Sequence, residues 1–159
     1  MNISNEFEKK YGKQNILNKC RENKCHLKDI NKKDYLILSG DDIKSKYDGE
    51  KSVDCIIIDL NKNLEDEYRI ILCELTKGTK ELKEAEKKFK DSGKLITEDM
   101  HSLDLSIYKI NCLLLGHYSK NTRNVNKKIL RKRFRIEGHN ELISIQRENC
   151  GYSIKNILN

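Results

Sequence analysis

The chain has 159 residues, 36% of them charged and only 6% aromatic, which suits one folded domain with a core built mostly from Ile and Leu. No apolar run approaches the roughly 20 residues that a bilayer crossing requires, so a membrane-spanning bundle is excluded. The formal net charge of +7 favours an anionic partner. Ten of the 32 Lys and Arg but only three of the 25 Asp and Glu lie from His117 onward, so the first 116 residues are balanced and the C-terminal part carries the whole surplus.

In chain order, Ile3, Phe7, Tyr11, Ile16 and Leu17 recur at roughly helical spacing, with Gly12 as an interruption, and predict one or two short helices over Ile3 to Lys19. Cys20 to Asp34 is polar and irregular. Tyr35 to Leu38 is a short strand ended by Ser39-Gly40, after which Asp41-Asp42 suits the N-terminus of a helix running into Ile43 to Tyr47. Val53 to Leu60 and Tyr68 to Leu75 are apolar runs joined by a polar turn, Asn61 to Glu67, and predict an antiparallel hairpin.

From Lys80 to Ile96, the positions Leu82, Ala85, Phe89, Gly93 and Ile96 repeat at steps of three and four, the pattern of an amphipathic helix. Tyr108 to Tyr118 is apolar through its middle, as a central strand covered on both sides should be. Asn121 to Arg131 is a basic helix candidate with Val125, Ile129 and Leu130 inward. Arg133 to Glu137 and Leu142 to Arg147 form a hairpin around Gly138-His139-Asn140, and a turn with a short helix closes the chain. The expectation is a single α/β domain over 1–159, three-layered, with a central mixed sheet flanked by helices: an N-terminal helical part (1–34), a core (35–118) and a basic C-terminal part (119–159).

Six cysteines invite a disulfide reading, but Cys55, Cys73 and Cys112 fall inside apolar strand-like runs and are more simply small buried thiols. Cys20-x4-Cys25-His26 has the start of a zinc pattern, yet no second pair of matching spacing follows. The opening MNISNEFEKKYG lacks the apolar segment of a secretory signal, which leads to the expectation of a soluble cytoplasmic protein.

The chemistry concentrates in the hairpin. Carboxylates are costly inside apolar strands unless something compensates them. Asp54 stands at the start of one strand and Glu74 near the end of the next, and antiparallel pairing brings a strand start beside its neighbour's end. Two such acids with the carbonyl of Leu75 make a hard-oxygen set suited to Mg²⁺ or Mn²⁺.

The residues Val53-Asp54-Cys55-Ile56-Ile57 and Cys73-Glu74-Leu75-Thr76-Lys77-Gly78, followed by the helix Leu82 to Ile96 and the strand Tyr108 to Leu115, resemble the PD-(D/E)xK, or restriction-endonuclease-like, superfamily. That resemblance implies a restriction-endonuclease-like fold and a metal-dependent nuclease hydrolysing nucleic-acid phosphodiesters. Asp54 and Glu74 would be the metal and catalytic acids, with Lys77 or Lys88 as the catalytic lysine. The chain departs from the pattern in two places. Val53 stands where proline is usual, and Thr76 stands where the lysine is expected, with Lys77 one place later and on the opposite strand face unless a bulge re-aims it. The alternative is a catalytically degenerate module on the same scaffold that binds nucleic acid or a protein.

The basic stretch supplies the remaining expectation. Lys127, Lys128, Arg131, Lys132, Arg133 and Arg135 are dense enough to neutralise several phosphates, with Tyr118 and Phe134 available to stack on bases. The expected partner is nucleic acid, DNA ahead of RNA, and not a membrane. A homodimer or a larger defence or mobile-element assembly is the setting that the resemblance implies.

Overall fold

The computed structural model describes residues 1–22, 24–41, 51–76, 82–117 and 129–157. Helix α1 (Ile3–Tyr11) starts where the Asn2 side chain accepts the Asn5 N–H at 3.3 Å. It ends at Gly12, whose φ of +89° suits a residue without a Cβ. Beyond Gly12 the chain does not resume an α-helix. A 3₁₀ turn (Lys13–Asn15) leads into β1 (Ile16–Leu17), and the two apolar residues that helical spacing assigned to a helix pair instead with Leu38 and Ile37. A sheet edge offers these β-prone residues both backbone partners and burial.

The irregular stretch that follows folds into a small separate hairpin, β2 (Arg21–Glu22) with β3 (Cys25–His26). The main sheet is mixed and seven-stranded. Its remaining strands are β4 (Tyr35–Ser39), β5 (Cys55–Asp59), β6 (Tyr68–Leu75), β7 (Ile107–Gly116), β8 (Ile129–Phe134) and β9 (Ile143–Asn149), in the order β1-β4-β5-β6-β7-β9-β8. Strands β4, β5 and β6 form an antiparallel meander. Helix α2 (Leu82–Ser102) then carries the chain over to β7, which lies parallel to β6. The expected hairpin is present, paired from Cys55 opposite Cys73 to Asp59 opposite Arg69. Ile129 to Arg131, expected to end a basic helix, begin strand β8 instead, because the antiparallel pairing with β9 extends back to Ile129 opposite Gln146. The expected helix at Asp41 is seen at its start, where Gly40 and Asp41 are helical, while Ile43 to Tyr47 lie outside the described residues.

Alternation along the strands divides the interior in two. Ile56, Ile58, Ile70, Leu72, Ile110 and Leu114 point to one face, where they pack with Phe7 and Tyr11 of α1 and Phe89, Ile96 and Met100 of α2. The two helices are joined there by an ion pair between Lys10 and Asp99. Ile57, Ile71, Leu113 and Leu115 point to the other face, against Cys20, Leu27, Ile154 and Ile157. Among the described residues that second face carries no α-helix. Its cover is the β2–β3 hairpin, the segment after it, and a 3₁₀ turn (Ile154–Asn156). Among the described residues, helical flanking is seen on one face.

The second layer is stapled. Disulfides join Cys20 to Cys55 and Cys25 to Cys150. This corrects the reading of Cys55 as a free thiol, whereas Cys73 and Cys112 are indeed free and buried. A polar segment with few apolar side chains gains little from burial, and a covalent tie substitutes for the missing contacts. The same bridges use up both cysteines of the zinc-like pattern. No helix among the described residues is long and apolar enough to cross a membrane.

Candidate active site

The pairing of Cys55 with Cys73, carried one step further, sets Asp54 opposite Glu74 on the face that α2 covers. Asp54 is anchored from the neighbouring strand, its Oδ2 accepting the Leu75 N–H at 2.7 Å. Its own carbonyl accepts the N–H of Gly40 at 3.0 Å. A Cβ on Gly40 would lie 1.7 Å from the Val53 carbonyl oxygen, so only glycine lets the end of β4 close on the residues leading into Asp54.

Glu74 is 5% exposed. One of its oxygens, Oε2, lies 2.5 Å from Nζ of Lys88, which reaches down from the second turn of α2. The other, Oε1, is buried with no hydrogen-bond donor. Asp54 and Glu74 face each other closely enough that their carboxyls can share a proton. Burial first, and then the hydrogen bond to Glu74 and its charge, push the Asp54 carboxyl up to about 7. Glu22 of β2 and the Leu75 N–H also bond to Asp54 and pull the other way. Near neutrality the pair therefore holds a proton for much of the time. Burial alone would lower the Lys88 ammonium, but its bond to Glu74 and the charges of Glu74, Asp54 and Glu84 outweigh that and raise it. Lys88 stays cationic.

These groups sit in a cleft of about 680 Å³, which Glu22, Lys24, Asp41, Glu84 and His117 also line. The clustering of acids at the end of a sheet is what sequence reasoning anticipated. Glu22, Asp41 and His117 it missed: nothing in a polar, irregular segment signals that disulfides will draw Glu22 over the sheet end, and Asp41 and His117 reach the cleft from the ends of β4 and β7, which only the sheet order brings near β5 and β6. Among the described residues no group of three or more His, Cys, Asp or Glu forms a metal-holding set.

Of the two candidate lysines, Lys88 is brought to the acids, and Lys77 lies outside the described residues. Leu75 is at the site through its backbone N–H. Cys112 and Cys73 are unsuited to nucleophilic work, since burial raises both thiols well above their ordinary range, helped at Cys73 by the charges of Asp54 and Glu74.

The basic stretch is only partly in view. Lys127 and Lys128 lie outside the described residues, and Arg131 and Lys132 belong to β8. Arg133 and Arg135 are exposed, the latter donating from Nη1 to the Asn140 carbonyl at 2.9 Å. Phe134 is a correction: it is buried at 5% exposure in the helical-face core, where it cannot stack on a base. Strand β8 is the far edge of the sheet, separated from Glu74 by β7 and β9. The chain has no match among protein-family models, curated proteins or solved structures.

Proposed function

We propose that this protein is a metal-dependent nuclease of the PD-(D/E)xK type, with Asp54, Glu74 and Lys88 at its centre. The observation that carries the reading is their convergence: two acids opposite each other on one sheet face, with an ammonium group 2.5 Å from the more buried one. The element order supports it as well, running from a strand preceded by an acid through a hairpin to a strand with the second acid, then an amphipathic helix and a further strand.

The fit to Mg²⁺ or Mn²⁺ rests on the donor set. Glu74 presents a buried oxygen without a donor, and Asp54 is held back from ionising by its burial and then by Glu74 beside it. Such a pair gains from a cation. Asp54 and Glu74 would hold it, with the Leu75 carbonyl and water oxygens filling a shell that needs only one or two carboxylates from the protein. A divalent ion bound there supplies charge stabilisation at the phosphoryl oxygens and a more acidic water. The chain's own residues do the rest. The Leu75 N–H orients Asp54, Lys88 orients Glu74 and adds positive charge where a phosphodiester would enter, and Asp54 gives up its proton near pH 7. In this reading Lys88 takes the part that the resemblance assigns to a lysine after the second acid, so the displacement of Lys77 does not disable the site.

Arg133 and Arg135 remain exposed for phosphate contacts, with DNA favoured as the partner. The two bridges favour an oxidising compartment over the cytoplasm. A second reading, a binding module without chemistry, is supported by one observation: Lys88 already neutralises Glu74, in a site with no third metal-holding side chain among the described residues.

Cleavage of plasmid and single-stranded DNA with Mg²⁺ or Mn²⁺ separates the two. The nuclease reading expects metal-dependent cutting that falls by about 100-fold or more in Asp54→Ala, Glu74→Ala and Lys88→Ala. Cutting that persists in Asp54→Ala and Glu74→Ala would overturn it. Salt-sensitive binding without any cutting would leave the module.

A further inference from the structure

The β2–β3 hairpin pairs only with itself and stands apart from the seven-stranded sheet. Its own apolar content is small: Cys20, Cys25 and Leu27 are buried, while Arg21, Glu22 and His26 are exposed. Yet it forms one wall of the cleft, to which Glu22 and Lys24 contribute beside Asp54. Covalent ties hold it at two points. At its entry Cys20 is bonded to Cys55, the residue next to Asp54. At its exit Cys25 is bonded to Cys150, 125 residues away, beside two backbone bonds of 2.8 Å, from Gly151 N–H to the His26 carbonyl and from Lys28 N–H to the Tyr152 carbonyl. The sheet beneath has ties of its own, since its strands pair with one another and pack α1 and α2 on the opposite face.

We propose that the Cys20–Cys55 and Cys25–Cys150 bridges act as a redox clamp, holding the β2–β3 hairpin as a wall of the Asp54–Glu74 cleft, so that the site is complete only in the oxidised protein. A small dithiol opens each bridge by two successive exchanges. Two electrons pass to each S–S bond, two cysteine thiols are returned, and the reductant leaves as its own cyclic disulfide. The hairpin then loses both covalent ties to the sheet and moves away from Asp54, taking Glu22 and Lys24 with it. The consequence for metal binding rests on the nuclease reading, whereas the release of the hairpin does not.

The test uses the full chain, oxidised and then reduced with dithiothreitol, which is removed under argon before measurement. Alkylation in denaturant should label only Cys73 and Cys112 before reduction and all six cysteines after it. On reduction, amide exchange in β2 and β3 should accelerate by about 10-fold or more, while β5, β6 and β7 stay protected. Mn²⁺ affinity should weaken by about 10-fold, the scale on which loss of a ligand's supporting partner acts. The double variants Cys20→Ser with Cys55→Ser, and Cys25→Ser with Cys150→Ser, should each reproduce part of the effect without reductant. Labelling of all six cysteines in the unreduced protein would overturn the proposal. So would unchanged exchange in the hairpin, or a collapse of protection throughout the sheet, which would make the bridges staples of the whole fold. Should the oxidised protein bind no Mn²⁺ while reduction still frees the hairpin, the clamp stands and the nuclease reading falls.

Discussion

The two faces of the sheet are held by different means. On one, Phe7, Tyr11 and Phe89 are buried almost completely and two helices supply the cover, so apolar contact does the work. On the other, a short polar layer with few large side chains lies over Ile57, Ile71 and Leu113, and two covalent bridges make up for what burial does not provide. The candidate site lies where the two meet. Its acids and Lys88 belong to the helical face, while Glu22 and Lys24 come round the sheet end from the stapled layer. The difference teaches that a rigid frame and a conditional wall can share one cleft, the first relying on packing and the second on redox state.

Substitutions on each side sharpen that contrast. The largest expected effect is on the helical face: Phe89→Ala leaves a cavity between α2 and the sheet and should cost about 3–5 kcal/mol in denaturant melts, in oxidised and reduced protein alike. A dependence of that cost on redox state would break the comparison. Removing one bridge should cost about 2–4 kcal/mol, measured the same way, and the loss should vanish when wild type and variant are compared under reduction. Gly40→Ala tests the seam. The added methyl meets the Val53 carbonyl, so about 1–3 kcal/mol should be lost, and metal-dependent cutting should fall beyond what the lost stability explains.

The smallest effect has a defined sign. Because the Asp54 carboxyl is raised from 3.8 to about 7 in the fold, the folded state binds its proton more tightly than the unfolded chain. Its contribution to stability is full below pH 3.8 and is lost as pH climbs through about 7. Asp54→Asn, measured with a chelator present, should therefore melt higher than wild type at pH 8, with the gap shrinking as pH falls through 6. A gap that does not change with pH would show that the carboxylate pair carries no such penalty.

How much of this was legible beforehand differs by element. The largely apolar runs of β5, β6 and β7 and the three-and-four spacing of α2 are local signals, and each appears where it was expected, α2 running on past Ile96 to Ser102. The opposition of Asp54 and Glu74 followed too, because a hairpin's register is set by the chain between its strands. Local period misled at Ile16 and Leu17, where a free sheet edge outcompeted a helix, and the basic stretch misled at Phe134, whose side chain is buried rather than open to stacking.

Periodicity and hairpin pairing are properties of neighbours along the chain, so the sequence by itself determined the central strands β5, β6 and β7, the crossing helix and the facing acids. Only the tertiary structure decided which lysine meets Glu74, because the path of α2 over the sheet chose Lys88. It also decided which cysteines bond and that Glu22 reaches Asp54. Those outcomes depend on segments 14 to 125 residues apart arriving at the same point in space, and no local pattern encodes where a distant segment will arrive.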